Sequence, residues 1–169
     1  ILRDSCYFKQ GDISAYPNIY VLLLAQSAEH RKGNPVRFCE RLVGKVHSTK
    51  VISGRASIQA VLDELSRGET NPKTGKILAG GSALFSAPEL SAGMVNDPEA
   101  IKILTDIYDF KDEYTHRLRG TGVFRIKNLC FSFFAASNED LLRDVYDSKA
   151  IFGGLIGRTF LIKPNEFRP

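Results

Sequence analysis

The sequence lacks both long apolar runs and paired cysteines. Its longest apolar stretches, residues 20–25 and 130–136, have strand length and fall far short of the roughly 20 residues that cross a bilayer. Its three cysteines lie far apart without a CxxC spacing, which is typical of thiols in a reducing cytosol. No secretory signal precedes the first apolar stretch. These absences predict a cytoplasmic protein that does not associate with membranes.

Common catalytic and metal-binding patterns are absent as well. Ser27 and Ser53 do not lie in a GxSxG turn, so the sequence gives no sign of a hydrolase triad. His30 and His47 have no histidine or cysteine partner at the spacing of metal ligands. The sequence therefore predicts no metal site built from protein side chains.

The composition is that of an ordinary globular domain. With 169 residues, 43% of them apolar and 25% charged, the chain suits a single domain (residues 1–169) with a sizeable core. Residues 1–17 are expected to form a lead-in segment. Because the chain opens on Ile1, we expect it to be part of a longer protein. The net charge of +4 gives weak support for a polyanionic partner.

Short apolar strands alternate with helical patterns along the chain. Strand-like stretches at residues 20–25, 50–53, 82–87, 129–136 and 159–163 are separated, for the most part, by residues with helical spacing. A hairpin with glycines at its bend is predicted at residues 115–127, and a short helix follows Asn138. The pattern predicts an α/β fold: a P-loop NTPase-like sheet of about five mostly parallel strands flanked by helices, with an inserted β-hairpin before the fourth main strand.

The first apolar strand leads into a loop that has the layout of a phosphate-binding loop. In the pattern GxxxxGK(S/T), backbone N–H groups and the lysine surround the phosphates of a nucleotide. Here Lys32 takes the lysine position, whereas Gly33 takes the hydroxyl position. The alternative is an ordinary strand-to-helix turn with a solvated basic pair. The candidate nucleotide-binding residues are Gln26, Ser27, Arg31, Lys32, Gly33 and Asn34.

Three further polar residues lie at the ends or starts of predicted strands. Glu89, after the third strand, is placed to orient an attacking water, or is simply an exposed loop glutamate. Asn138, after the fourth strand, is placed to contact the γ-phosphate, to cap the next helix, or both. Arg158 is either a surface arginine or an arginine that neutralises charge in a neighbouring subunit.

The chain resembles the primase-associated P-loop ATPases of phages, prophages and plasmids. The resemblance rests on PNIYVLLLAQSAEHRKG, VISGRASIQAVLDEL, the glutamate of APEL, IYDF, GTGVFRIKNLCFSFFAAS and GGLIGRTFLIKP. It implies a RecA-like or AAA+-like core that binds ATP and Mg²⁺ and acts as a DNA helicase with a primase domain or protein. It also implies a ring-shaped homo-oligomer, with Lys32 as phosphate lysine, Glu89 as catalytic glutamate, Asn138 as sensor and Arg158 as trans-acting arginine finger.

The chain departs from that family at three points. The loop glycines are missing, Gly33 offers no hydroxyl to Mg²⁺, and Pro88 replaces the metal-ligating aspartate. The alternative function is therefore a catalytically degenerate P-loop domain that serves as a DNA-binding or assembly module. A nucleotide-gated switch in a regulatory or phage-defence protein is a third hypothesis.

The predicted hairpin is the second functional feature. In ring helicases of superfamily 3 and in minichromosome-maintenance proteins, a hairpin before the sensor strand points into the central channel. A row of cations here suits phosphate contacts along single- or double-stranded DNA. The alternative is a solvated edge whose charges prevent aggregation. The candidate DNA-binding residues are His116, Arg117, Arg119, Arg125 and Lys127.

Overall fold

The computed structural model describes most of the chain. The described residues are 6–26, 32–45, 50–70, 77–78, 81–90, 94, 97–118, 122–138 and 154–163. Three α-helices lie in these ranges: α1 (Gly33–Val43), α2 (Ile58–Ser66) and α3 (Pro98–Asp106). The short helix predicted after Asn138 falls outside them. None of the described helices is long and apolar enough to cross a membrane.

Ten strands lie in the same ranges. Two short hairpins stand apart from the main sheet; the first of them lies in the predicted lead-in segment. The strands are β1 (Phe8–Gln10), β2 (Ile13–Ala15), β3 (Tyr20–Leu24), β4 (Lys50–Ser53), β5 (Glu69–Thr70), β6 (Ile77–Leu78), β7 (Ser82–Ala87), β8 (Lys111–Leu118), β9 (Gly122–Ser137) and β10 (Thr159–Ile162).

The central sheet has the order β10–β3–β9–β7–β4, and each neighbouring pair in this path is parallel. Strand β8 pairs with β9 in the antiparallel sense. The predicted α/β fold with a mostly parallel sheet flanked by helices is confirmed. Counted along the chain, the five parallel strands stand in the order 5-1-4-3-2. The fourth parallel strand, β9, therefore lies between the first (β3) and the third (β7).

Helices cover the two faces of this sheet unequally. Alternate residues of β3, such as Tyr20 and Leu22, join a buried cluster with the apolar residues of α2 and α3. The opposite face packs against α1, in which Val36 is buried. Beside α1 this face holds an apolar groove of about 360 Å³, which Val21 and Phe134 help to line. The main core therefore lies between the sheet and α2 and α3.

Local sequence explains how the helices begin. The Ser57 hydroxyl accepts a hydrogen bond from the Ala60 amide, and the Asp97 carboxylate accepts one from Glu99, as expected of N-cap residues. Pro98 occupies the first turn of α3, where its missing N–H costs nothing. Helix α1 begins at Gly33 without a side-chain cap at Lys32.

The hairpin is longer than predicted and is continuous with the sheet. Strand β9 runs for 16 residues: its first half pairs with β8 and its second half lies between β3 and β7. Asn128, at the junction, has a φ of 51°, a left-handed conformation that asparagine tolerates better than most residues. Gly81 packs against this junction so closely that a Cβ there would lie 2.5 Å from the Lys127 carbonyl oxygen. Glycine is therefore required at that position.

Candidate functional site

The parallel strands give the sheet two unlike edges. We call the side where β3, β4, β7 and β9 end the carboxyl edge, and the side where they start the amino edge. From β3 the chain passes through α1 to β4 at one side of the sheet, whereas from β9 it proceeds to β10 at the other. A crevice of about 1090 Å³ lies at the carboxyl edge, between α1 and the ends of β4 and β7; Asn34, Ser53 and Pro88 help to line it. Ligands of open α/β sheets bind at such a point.

Backbone contacts hold several chain segments together at this carboxyl edge. The Ala25 amide donates to the Ser137 carbonyl oxygen at 3.3 Å, which joins the end of β3 to the end of β9. The Leu90 amide donates to the Ala136 carbonyl oxygen at 2.7 Å, which draws the segment after β7 over β9. The segments that follow β3, β7 and β9 therefore lie close together at this edge.

Lys32 sits where this edge meets α1. It is the N-cap residue of the helix, and its ammonium group donates to the Ala25 carbonyl oxygen at 2.9 Å. The side chain of Lys32 therefore contacts the backbone directly after β3. Of the predicted loop residues, Gln26 is exposed, while Ser27 and Arg31 lie outside the described residues.

The start of α1 has the electrostatic character of an anion site. As described, the helix has no side-chain cap at Lys32 and no acidic residue in its first turn. Its first amides therefore present the positive end of the helix dipole without an internal counter-charge. Gly33 and Asn34 stand in this first turn, directly after the lysine.

The two positions that would hold Mg²⁺ are in contact but carry no ligand. In P-loop enzymes the ion is held by a hydroxyl after the lysine and by an aspartate before the catalytic glutamate. A Cβ built on Gly33 lies 3.5 Å from the Pro88 Cβ, so the structure brings these two positions together. Neither residue offers an oxygen from its side chain. Among the described residues no group of three His, Cys, Asp or Glu side chains could hold a metal. The residues present do not fit a protein-held Mg²⁺.

Glu89 lies at the carboxyl edge in an ion pair. Its carboxylate accepts a hydrogen bond from the Arg55 guanidinium at 2.8 Å, and Arg55 follows β4. The Glu89 side chain is 67% exposed and that of Arg55 is 75% exposed, so water screens the pair. Glu89 thus lies near the predicted site, and its carboxylate is paired with Arg55, a residue that the sequence analysis did not single out.

Asn138 follows the end of β9 and is half-buried at the same edge. Its neighbour Ser137 was not predicted as a site residue. Ser137 is fully buried, and within the described part of the chain its hydroxyl has no hydrogen-bond partner. An unpaired buried hydroxyl is costly, so it points to a ligand or water at this position. Sequence reasoning could have identified Ser137, because it is a polar residue at the end of an apolar strand.

Arg158 lies at the opposite, amino edge. It precedes β10, donates to the Gly154 carbonyl oxygen at 3.1 Å, and approaches the Asp109 carboxylate to 3.8 Å. Its guanidinium also stands 5.6 Å from the centre of the Tyr108 ring. The four residues of β10, about 13 Å at 3.3 Å per residue, separate it from the carboxyl edge. Arg158 therefore does not reach the candidate nucleotide site of its own chain.

One face of the β8–β9 hairpin is basic and exposed. We call it the hairpin's outer face. It carries three cations and one carboxylate among the described residues; its exposed members are Glu113, Thr115, Arg117, Val123, Arg125 and Lys127. Arg119 lies outside the described residues. Strand alternation places all six side chains on the same side.

His116 lies on the inner face of the hairpin. It is opposite Phe124 in the hairpin ladder, and its Nε2 atom is 3.9 Å from the Glu99 carboxylate of α3. Tyr114, on the same face, is buried against α3; burial and the Asp106 carboxylate raise its pKa to about 12. The inner face anchors the hairpin, and of the five residues predicted to contact DNA the outer face displays three.

No protein-family model, no curated protein and no solved structure matches the chain. The functional evidence is therefore the geometry of two separate places on one fold. The carboxyl edge offers a cationic crevice with a glutamate and two polar strand ends. The hairpin, which extends from the other end of β9, offers an exposed basic surface.

Proposed function

We propose that this chain is the ATP-binding motor domain of a DNA replication helicase of the P-loop, AAA+-like type. The observation that supports it most is the strand order. Because β9 lies between β3 and β7, the first, third and fourth parallel strands end side by side at the carboxyl edge. Lys32, Glu89 and Asn138 follow those three ends, and we assign them the roles of phosphate lysine, catalytic glutamate and sensor.

The crevice suits a nucleotide triphosphate. Lys32 and the uncapped start of α1 provide positive charge for the phosphates, and both already face the end of β3. Glu89 would orient the attacking water once it leaves Arg55, and Asn138 would contact the γ-phosphate. In phosphoryl-transfer sites, catalysis comes mainly from positioning of the reactants and electrostatic stabilisation of the transition state, and these residues would provide both.

Strand β9 suggests how nucleotide and DNA would be coupled. It is one continuous strand of 16 residues, about 50 Å at 3.3 Å per residue, with the hairpin at its start and Asn138 directly after its end. A shift of the γ-phosphate contact would therefore move the same strand that presents Arg125 and Lys127. The proposed ligand of that surface is single- or double-stranded DNA.

The proposal includes a ring-shaped homo-oligomer, in which Arg158 is the trans-acting arginine. Since this arginine lies on the amino edge of its own sheet, it would act only at a neighbouring subunit's nucleotide. The proposed partnership with a primase, in the replication of a mobile element, has only the sequence resemblance to support it.

The experiment that tests the motor function is an ATPase assay with and without single-stranded DNA. The wild-type protein, Lys32→Ala and Glu89→Gln are compared with Lys45→Ala, an exposed lysine just beyond α1. We expect DNA to stimulate the wild type and Lys45→Ala, and both site variants to lose most of the activity. Equal rates in all four proteins would contradict the proposal.

A second candidate is a degenerate P-loop domain that binds DNA or assembles with other proteins without hydrolysis. Two observations favour it: the Gly33–Pro88 contact lacks metal ligands, and Arg55 occupies the carboxylate of Glu89. Such a module would bind DNA through the hairpin normally but would show neither nucleotide binding nor hydrolysis.

A further inference from the structure

The contact between Gly33 and Pro88 bears on how a nucleotide would bind at the carboxyl edge. A serine or threonine at position 33 and an aspartate at position 88 would place two oxygen ligands at a single point. A Cβ on Gly33 lies 3.5 Å from the Pro88 Cβ and 3.8 Å from the Pro88 carbonyl oxygen. Both metal ligands are therefore absent from the same place in the site.

Neighbouring oxygens do not replace the missing ligands. The Ser86 hydroxyl, two residues before Pro88, donates to the Glu40 carboxylate of α1 at 3.2 Å. The Glu89 carboxylate pairs with Arg55. Asn34 contributes at most one neutral amide oxygen, whereas Mg²⁺ prefers carboxylates and phosphates in a strict octahedron.

Cations of the protein are present where the metal ligands are absent. Lys32 is fixed at the start of α1, next to Gly33, and Arg55 reaches the residue after Pro88. Ammonium and guanidinium groups neutralise phosphate oxygens directly, without a bridging ion. An apolar Pro88 beside Gly33 adds a surface that does not favour a hydrated ion.

We infer that this site binds the triphosphate of a nucleotide without any metal ion held by the protein. The inference rests on the proposed nucleotide site and refines its ligand: the phosphates are neutralised by lysine, arginine and the helix start. Binding is then insensitive to removal of Mg²⁺. Hydrolysis by the wild type is slow compared with that of a variant in which both metal ligands are restored.

The test is calorimetric titration with the imido analogue of ATP, in excess Mg²⁺ and in EDTA. For the wild type we expect dissociation constants that differ by less than about threefold, under 1 kcal/mol. The double variant Gly33→Ser, Pro88→Asp should bind at least about tenfold more tightly in Mg²⁺ than in EDTA, since each tenfold corresponds to about 1.4 kcal/mol. The single variants serve as controls, because one ligand alone should give a smaller dependence.

The outcomes separate the inference from the proposed function. Wild-type binding that is lost in EDTA would overturn the inference and leave the nucleotide site standing. The absence of wild-type binding in both solutions would overturn both. The wild-type comparison decides the matter even if the double variant does not fold. Gly33→Ser is compatible with the space, since 3.5 Å is an ordinary contact distance.

Discussion

The basic hairpin gives a prediction whose size can be worked out. We expect the triple variant Arg117→Gln, Arg125→Gln, Lys127→Gln to lose most of its affinity for single-stranded DNA and most of its salt dependence. Each phosphate contact contributes roughly 0.7 to the slope of log K against log salt concentration for a single strand. Loss of three contacts should therefore lower the slope by about 2.

That slope sets the size of the effect on affinity. Between 50 and 200 mM salt, the affinity of the wild type should fall roughly 20-fold more than that of the variant, because their slopes differ by about 2. The substituted side chains are exposed, whereas Tyr114 and Ile126 anchor the hairpin through its inner face. The free energy of unfolding should thus change by no more than about 0.5 kcal/mol. Fluorescence anisotropy with a labelled oligonucleotide at several salt concentrations measures the slope directly.

Two controls make the result specific. A second triple variant, with glutamine in place of the exposed lysines Lys9, Lys45 and Lys102, lowers the formal net charge from +4 to +1 by the same amount but leaves the hairpin intact. Glu113→Gln removes the carboxylate of the outer face and should strengthen binding. If both triple variants lose affinity equally, or if the hairpin variant keeps its slope, the outer face is not the DNA surface.

Three further predictions concern single residues. At saturating ATP, where weaker binding no longer limits the rate, Arg55→Ala should raise the ATPase rate by up to about fivefold, because the exposed ion pair that restrains Glu89 is worth about 0.2–1 kcal/mol; a lower rate at saturating ATP would contradict this restraint. Ser137→Ala should raise the melting temperature slightly, because it removes a buried hydroxyl without a partner in the described chain. It should also lower the ATPase rate if that hydroxyl contacts the ligand. A destabilised variant with full activity would contradict both expectations. Tyr20 is buried and its hydroxyl donates to the Leu104 carbonyl oxygen at 2.9 Å. Burial raises its pKa well above 10, so the phenol stays neutral in the folded protein at a pH at which it ionises in the unfolded chain. The free energy of unfolding should therefore fall as pH rises above 10. In Tyr20→Phe, denaturant titrations should show a weaker fall over that range, and an equal fall would rule out Tyr20 as its cause.

Local features of the fold were predictable from the sequence. Continuous apolar strands are typical of a parallel sheet covered on both faces, and the runs at β3, β7 and β9 have that pattern. Ser57 and Asp97 mark helix starts because their short side chains satisfy free amides. These signals depend on residues close together in the chain.

Features that depend on strand order were not predictable in the same way. The contact of Gly33 with Pro88 joins positions 55 residues apart, and the pair of Arg55 with Glu89 joins positions 34 apart. Nothing in the local spacing indicates that β9 would be inserted between β3 and β7. The inward orientation of His116, however, could have been predicted from the sequence. It shares strand parity with the apolar Tyr114, which places both on the inner face.

The central claim, that the carboxyl edge binds nucleotide phosphates through Lys32, is tested most directly by calorimetric titration of ATP into the wild type, Lys32→Ala and Lys45→Ala. A hydrogen bond between charged groups is worth about 1.5–3 kcal/mol, so Lys32→Ala should bind roughly ten- to 100-fold more weakly. Lys45→Ala should match the wild type. Equal affinities for all three proteins, or the absence of binding by the wild type, would contradict the account.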